Sequence, residues 1–173
     1  MTPFFQNHIK RVRNLAIFVG CVLVWFFLDR LIKSFVDSHF DKGDVFVNNV
    51  LGLFEFRLVH NTGAAWGSFE NYTAIIACIS FIICIVLVIY AIVFSNRAHV
   101  IEMISLALIC AGGFGNLFDR VTQGYVVDFI STTFINFPTF NIADIGVTCG
   151  LIILLLCLII RTFKEDANCG SQS

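Results

Sequence analysis

Asp128 and Asp144 are the residues of this chain best suited to chemistry. They stand in GNLFDRVTQGYVVDFI and FNIADIG, each at the end of a strongly apolar segment. An ionisable residue at a bilayer edge is costly and marks a functional position. Asp128 is flanked by Val126, Val127, Phe129 and Ile130, and desolvation by such neighbours favours the neutral acid. Asn141 is placed to cap a helix that would hold Asp144 at its third position, where the positive end of the dipole favours a carboxylate. Two acids in opposed environments are the pattern of a general acid and general base. If their side chains meet, they share one proton and titrate as a unit. Position alone leaves a plainer reading for each: a helix-start residue for Asp144 and a structural acid for Asp128.

Other polar residues cluster in sequence around them. Asp29 and Lys33 have i, i+4 spacing with the acid first, the better order for a helical ion pair. They either solvate the end of an apolar segment or shape a polar pocket. Asp119 and Arg120 are adjacent and so face different ways on a helix. Arg120 reads as a snorkelling anchor or as a substrate contact, with Asn116 one turn before it. Asn61 opens the small-residue stretch NTGAAWG and is either a turn former or a hydrogen-bonding arm. His8, His39, His60 and His99 are isolated and give no metal pattern. Neither a cofactor fingerprint nor a nucleophile–His pair is visible, so we expect no cofactor and no metal.

Composition fixes what must hold these residues. Of 173 residues, 58% are hydrophobic and 13% charged, against about 45–50% and about 25% in soluble domains. The chain is therefore expected to be an integral membrane protein, and its net charge of -1 gives no sign of nucleic-acid binding. Four segments are long and apolar enough to span a bilayer: about 14–36, 72–94, 100–118 and 142–160. The first follows a basic start but has no small-residue cleavage site, so it reads as a retained span. Lys10, Arg11, Arg13, Arg97, Arg161 and Lys164 share one side, which makes both termini cytoplasmic. Seven cysteines, six of them within apolar segments, form no disulfide framework and read as small packing residues.

The intervening stretches 37–71 and 119–141 then face outward. Val45–Val47 and Phe54–Val59 alternate with period 2 and predict short strands, a small sheet on the membrane surface. The stretch 119–141 reads as irregular, broken by Gly124 and Pro138, and the tail 164–173 as disordered. Trp66, Tyr72 and Tyr125 fall near the same interface. The expected architecture is one all-α membrane domain, a four-transmembrane-helix bundle with a small extracytoplasmic β-sheet cradle. The site residues alone fit an enzyme, a proton-coupled transporter or a scaffold subunit. A transporter acid belongs near the bilayer midplane, whereas Asp128 and Asp144 lie at span ends.

Taken in order on four spans, DRLIK, VHNTGAAWG, GGFGNLFDRVTQGYVVDF and FNIADIG resemble the lipoprotein signal peptidases (signal peptidase type II) of bacteria. The resemblance covers residues 14 to 160. It implies an inner-membrane aspartic protease that cuts prolipoproteins just before a diacylglyceryl-modified cysteine, with Asp128 and Asp144 as the catalytic dyad at the extracytoplasmic face. It also implies that Asp29, Lys33, Asn61, Gly112, Asn116, Arg120, Asn141 and Ala143 shape or support the site. Trp66 stands where the resemblance leads one to expect Phe, a change of packing rather than of chemistry. Implied partners are prolipoprotein substrates and membrane lipids, and a monomer is the default expectation.

Overall fold

The computed structural model describes residues 3–63 and 72–170. Element order is α1 (Pro3–His39), β1 (Val45–Val50), β2 (Phe54–Asn61), α2 (Thr73–Phe94), α3 (Val100–Gln123), β3 (Val126–Thr132) and α4 (Ile142–Gly170). Among the described residues, four helices are long and apolar enough to cross a membrane. This is a multi-pass membrane protein. Trp66 and the remainder of NTGAAWG after Gly63 lie outside the described residues.

α3 is the centre of the bundle and packs against each of the other three helices. Its face is lined by small residues, and Ala107, Cys110, Ala111, Gly112 and Gly115 are all buried. Within a membrane, close packing and interhelical hydrogen bonds must replace the hydrophobic drive, and small side chains permit both. Most of the large apolar side chains of α1, α2 and α4 face outward, among them Val24, Ile82 and Leu155. One core cluster, around Phe18, Cys84, Met103 and Leu106, joins α1, α2 and α3.

The sheet has the order β1-β2-β3, both pairs antiparallel. It is seated on the end of α1 by a second cluster of Val36, Leu58, Val127 and Phe129. The hairpin turn holds Gly52 at φ 71 and, less usually for a side chain, Leu51 at φ 56. The β2–β3 register sets Val59 opposite Asp128 and Asn61 opposite Val126.

Several boundaries differ from those read in the sequence. The stretch 119–141 is not irregular throughout: α3 continues to Gln123 and is stopped by Gly124, whose φ of 81 closes the helix with an N–H bond to the Arg120 carbonyl. The chain then enters β3, which carries Asp128. Its run Val126–Phe129 is buried on both faces, so it shows no alternation to identify it as a strand. α1 begins at Pro3, since proline is tolerated in a first helical turn. α4 continues to Gly170, into the tail expected to be disordered, because Arg161–Asn168 contains neither glycine nor proline to stop it. Not all cysteines are packing residues: Cys84 and Cys110 are buried, but Cys78 and Cys149 are exposed.

Candidate active site

The start of α4 is where the polar residues converge. Asn141 precedes the helix and its side-chain oxygen accepts the Asp144 N–H at 3.0 Å, while the Asn141 N–H donates to Asp144 Oδ2 at 3.1 Å. This reciprocal capping box fixes the Asp144 carboxylate from one side. Asn116, from α3, fixes it from the other: its Nδ2 donates to Asp144 Oδ1 at 2.7 Å. The N–H of Ala143, a further orphan donor of the first turn, is taken up by Asp29 Oδ1 at 2.9 Å.

Asp128 approaches from β3. Asn141 Nδ2 donates to its Oδ1 at 2.6 Å and Asn61 Nδ2, from the end of β2, donates to its Oδ2 at 2.8 Å. Asn141 therefore bridges the two aspartates, one through its side chain and the other through its backbone. Asp128 is 2% exposed, whereas Asp144 is only partly buried. Burial, and then the charge of Asp144, push the Asp128 carboxyl up to about 7, against the opposing bonds from Asn61 and Asn141. Desolvation wins because both amides are neutral donors.

Behind this pair lies a charged network. Lys33 Nζ touches Asp29 Oδ2 at 3.0 Å and Asp119 Oδ2 at 2.9 Å, and donates to Asn116 Oδ1 at 2.8 Å. Lys33, Asp29 and Asp119 are all fully buried; Asp29 and Lys33 thus sit inside the bundle and do not solvate a helix end. Arg30 pairs with Asp119 and lies over the Phe118 ring. Asn141 Nδ2 also reaches Asn116 Oδ1 at 3.1 Å, so the ion pair of Asp29 with Lys33 continues as hydrogen bonds through Asn116 and Asn141 to Asp128 and Asn61. Arg120 donates to the carbonyls of Asn116 and Gly63, each at 3.2 Å; it ties α3 to the loop after β2 and is not merely an anchor.

A cavity of about 490 Å³ opens onto both aspartates, with Asn61, Asn116 and Arg120 also in its wall. Its remaining wall is mostly apolar: Val126, Phe137, Phe140 and Ile145. Of the site residues singled out in the sequence, all but Gly112 and Ala143 place a side-chain polar group in this network, and Ala143 joins it through its backbone N–H. Those two bring the helices together. A Cβ at Gly112 would lie inside contact distance of the Ala143 carbonyl oxygen, a backbone atom that cannot swing away. We expect Gly112→Ala to push α4 off α3, destabilising the fold by about 1–3 kcal/mol and loosening the Asp144 cap. An unchanged thermal midpoint in detergent would refute this.

Some contributors have no local sequence signal. Asp119, besides its two cations, lies 3.5 Å from the Val127 N–H, next to Asp128. His60 is not isolated: its Nε2 lies 2.6 Å from Asp37 Oδ1 and its ring stacks on Tyr125. That cluster holds β2 to the end of α1, one residue before Asn61. Trp25 Nε1 donates to the Ile142 carbonyl at 3.1 Å and steadies the start of α4.

This arrangement can be set beside known proteins. Residues 21–160 match the family model described as signal peptidase (SPase) II. The chain is 36% identical over 163 residues to the lipoprotein signal peptidase of Streptococcus pneumoniae, covering 91% of this chain and 99% of that protein. It is 32% identical over 151 residues to that of Clostridium acetobutylicum, covering 85% and 96%. A solved structure described as a bacterial membrane enzyme, determined by the in meso method at 2.3 Å resolution, superposes with a TM-score of 0.76 at 30% identity, over 84% of this chain and 88% of the other. With the model spanning most of the chain and relatives matched along nearly their whole length, this four-helix protein belongs to the signal peptidase II family.

Proposed function

We propose that this chain removes the signal peptide from diacylglyceryl-modified prolipoproteins, cutting just before the lipidated cysteine by aspartate-catalysed hydrolysis. The observation that carries the aspartic mechanism is the pair Asp128 and Asp144, lining one cavity and bridged by Asn141. Family membership supports the substrate class.

The roles follow from the surroundings. Asp128, deeply buried, holds the proton; Asp144, more exposed, acts as the base. The charge balance agrees. Arg30, Lys33 and Arg120 face Asp29, Asp119, Asp128 and Asp144, so one proton on the pair makes the cluster neutral. Asp144 takes a proton from a water held between the carboxyls, and the water oxygen bonds to the scissile carbonyl carbon. Asp128 gives its proton to the carbonyl oxygen. On collapse, Asp144 returns a proton to the amine of the lipidated cysteine as the C–N bond breaks, and Asp128 recovers its own from the diol. Asn61, Asn116 and Asn141 keep the carboxyls in place, and Arg120 holds the loop after β2 near the cavity. The apolar wall of Phe137, Phe140 and Ile145 suits the substrate's side chains and lipid.

The same reading places the chain in the bacterial inner membrane as a monomer, with both termini cytoplasmic and the site at the extracytoplasmic face. The basic residues of the N-terminal tail, of the turn at Arg97 and of the α4 end support that orientation. Incubating the purified chain with a diacylglyceryl-modified prolipoprotein tests the activity. A gel shift with a new N-terminal lipidated cysteine is the expected result. Intact substrate in the presence of folded enzyme would overturn it.

A pH profile tests the protonation assignment. The folded Asp128 carboxyl is raised to about 7, so its catalytic proton is present below that pH and lost above it. Cleavage should fall about tenfold per pH unit above 7. Stability moves the same way: below about 4 the acid is neutral whether folded or not, and stability falls between there and pH 7 as burial opposes ionisation. A rate that is flat to pH 9 would put the proton elsewhere.

A further inference from the structure

The end of the bundle opposite the aspartates has a second cavity, of about 460 Å³, between the α2–α3 turn, the start of α3 and the last membrane turns of α4. Its wall carries three cations, Arg97, Arg161 and Lys164, brought together from two separate parts of the chain. Among the described residues of its wall the carboxylate is Glu102, and that group is already engaged as the α3 cap, accepting the His99 N–H at 2.9 Å. The positive end of the α3 dipole points to the same place. Lys10 adds a further cation at the rim, its Nζ 3.3 Å from the Arg97 carbonyl. The other side of the cavity is apolar, with Ile101 and the half-exposed Ile160.

We propose that this cavity binds the headgroup of an anionic glycerophospholipid of the leaflet facing away from the active site. The chemistry is that of an amphiphile. A phosphate answers the Arg97 guanidinium and the Lys164 ammonium, and acyl chains continue along the apolar outer faces of α3 and α4. Basic residues at span ends commonly serve only as topological anchors, dispersed around the bundle. Here they converge on one concave site at headgroup depth, which is the arrangement that selects anionic lipid. Such a lipid would clamp the end of α4 to the α2–α3 turn, at the far end of the helix whose start positions Asp144.

The probe is dioleoylphosphatidylglycerol, added to the detergent-purified full chain and followed by native mass spectrometry. We expect one lipid retained per chain, at least fivefold more than with dioleoylphosphatidylcholine at equal concentration. Arg97→Gln/Lys164→Gln should reduce retention at least fivefold, and both positions are exposed, so the fold is not at stake. Lys42→Gln/Arg57→Gln, at the other end of the chain's spans, should leave it unchanged. Equal retention of the zwitterionic lipid, equal retention by the first double variant, or equal loss in both double variants would each overturn the site. Displacement by glycerol 3-phosphate as effective as by the lipid would show a free-phosphate site and overturn the lipid assignment.

Discussion

Asp128→Asn and Asp144→Asn should each lower the cleavage rate by about 10³-fold or more, because each removes a group that must give or take a proton during turnover. The double variant should be little slower than either single one, since two groups that act as a unit do not contribute additively. Shape is conserved in these replacements, but hydrogen bonding is not. Both oxygens of Asp128 accept amide N–H groups, from Asn61 and Asn141. Both oxygens of Asp144 accept likewise, from Asn116 and the Asn141 backbone. A new side-chain amide must turn an N–H toward one of these donors and lose that bond, a cost of about 1–3 kcal/mol for a buried group. At Asp128 the loss is partly offset above pH 7, where the variant no longer buries a charge. The variants should therefore fold with a slightly lowered thermal midpoint while losing nearly all activity. Turnover above a tenth of wild type in either one, with the lipid-modified substrate, would remove the dyad from the mechanism.

Much of this site was legible in the sequence because its determinants are local. Asn141 and Asp144 are spaced as a capping box, and capping is decided within four residues. The i, i+4 spacing of Asp29 and Lys33 likewise gave a true pair. The spans followed from composition, since a bilayer demands long apolar helices whatever the tertiary contacts. What escaped depends on partners distant in the chain. β3 is buried on both faces, and a short apolar run of that kind cannot be told from a helix by periodicity. Its strand character comes from pairing with β2, some 70 residues earlier. The continuation of α3 through Asp119 and Arg120 was hidden because its charges are satisfied by α1 and by the loop after β2, so polarity there marks a buried network and not an exit from the helix. His60 gained its meaning only from Asp37 and Tyr125. Gly112 was marked by motif, but the reason for it, the carbonyl of Ala143 against its Cα, is a fact of helix crossing.

Lys33→Met should be the most destabilising single change in the bundle. The Lys33 ammonium has three N–H donors and meets three acceptors, Asp29, Asp119 and Asn116, with 0% of its side chain exposed. A buried charge so completely matched adds little net stability over an apolar pair, but removing one partner leaves the others uncompensated, at about 3–5 kcal/mol. Asp119 would keep Arg30, and Asp29 would keep the Ala143 N–H, so the damage should be concentrated on Asp29, with no cation left in contact. The thermal midpoint in detergent should fall on the order of 10 °C. Catalysis should suffer separately. Lys33, with Asn141 Nδ2 beside it, fixes which way the Asn116 amide points, and only that orientation presents Nδ2 to Asp144. At a temperature where the variant is folded, the rate constant should still be depressed, with the apparent substrate affinity less affected. Adding Asp29→Asn to Lys33→Met removes the orphaned charge and should restore part of the stability without restoring the rate, since Asn116 Oδ1 keeps only its longer bond from Asn141. A Lys33→Met midpoint within 2 °C of wild type, or a double variant no more stable than the single, would show that the network is not coupled as its distances imply.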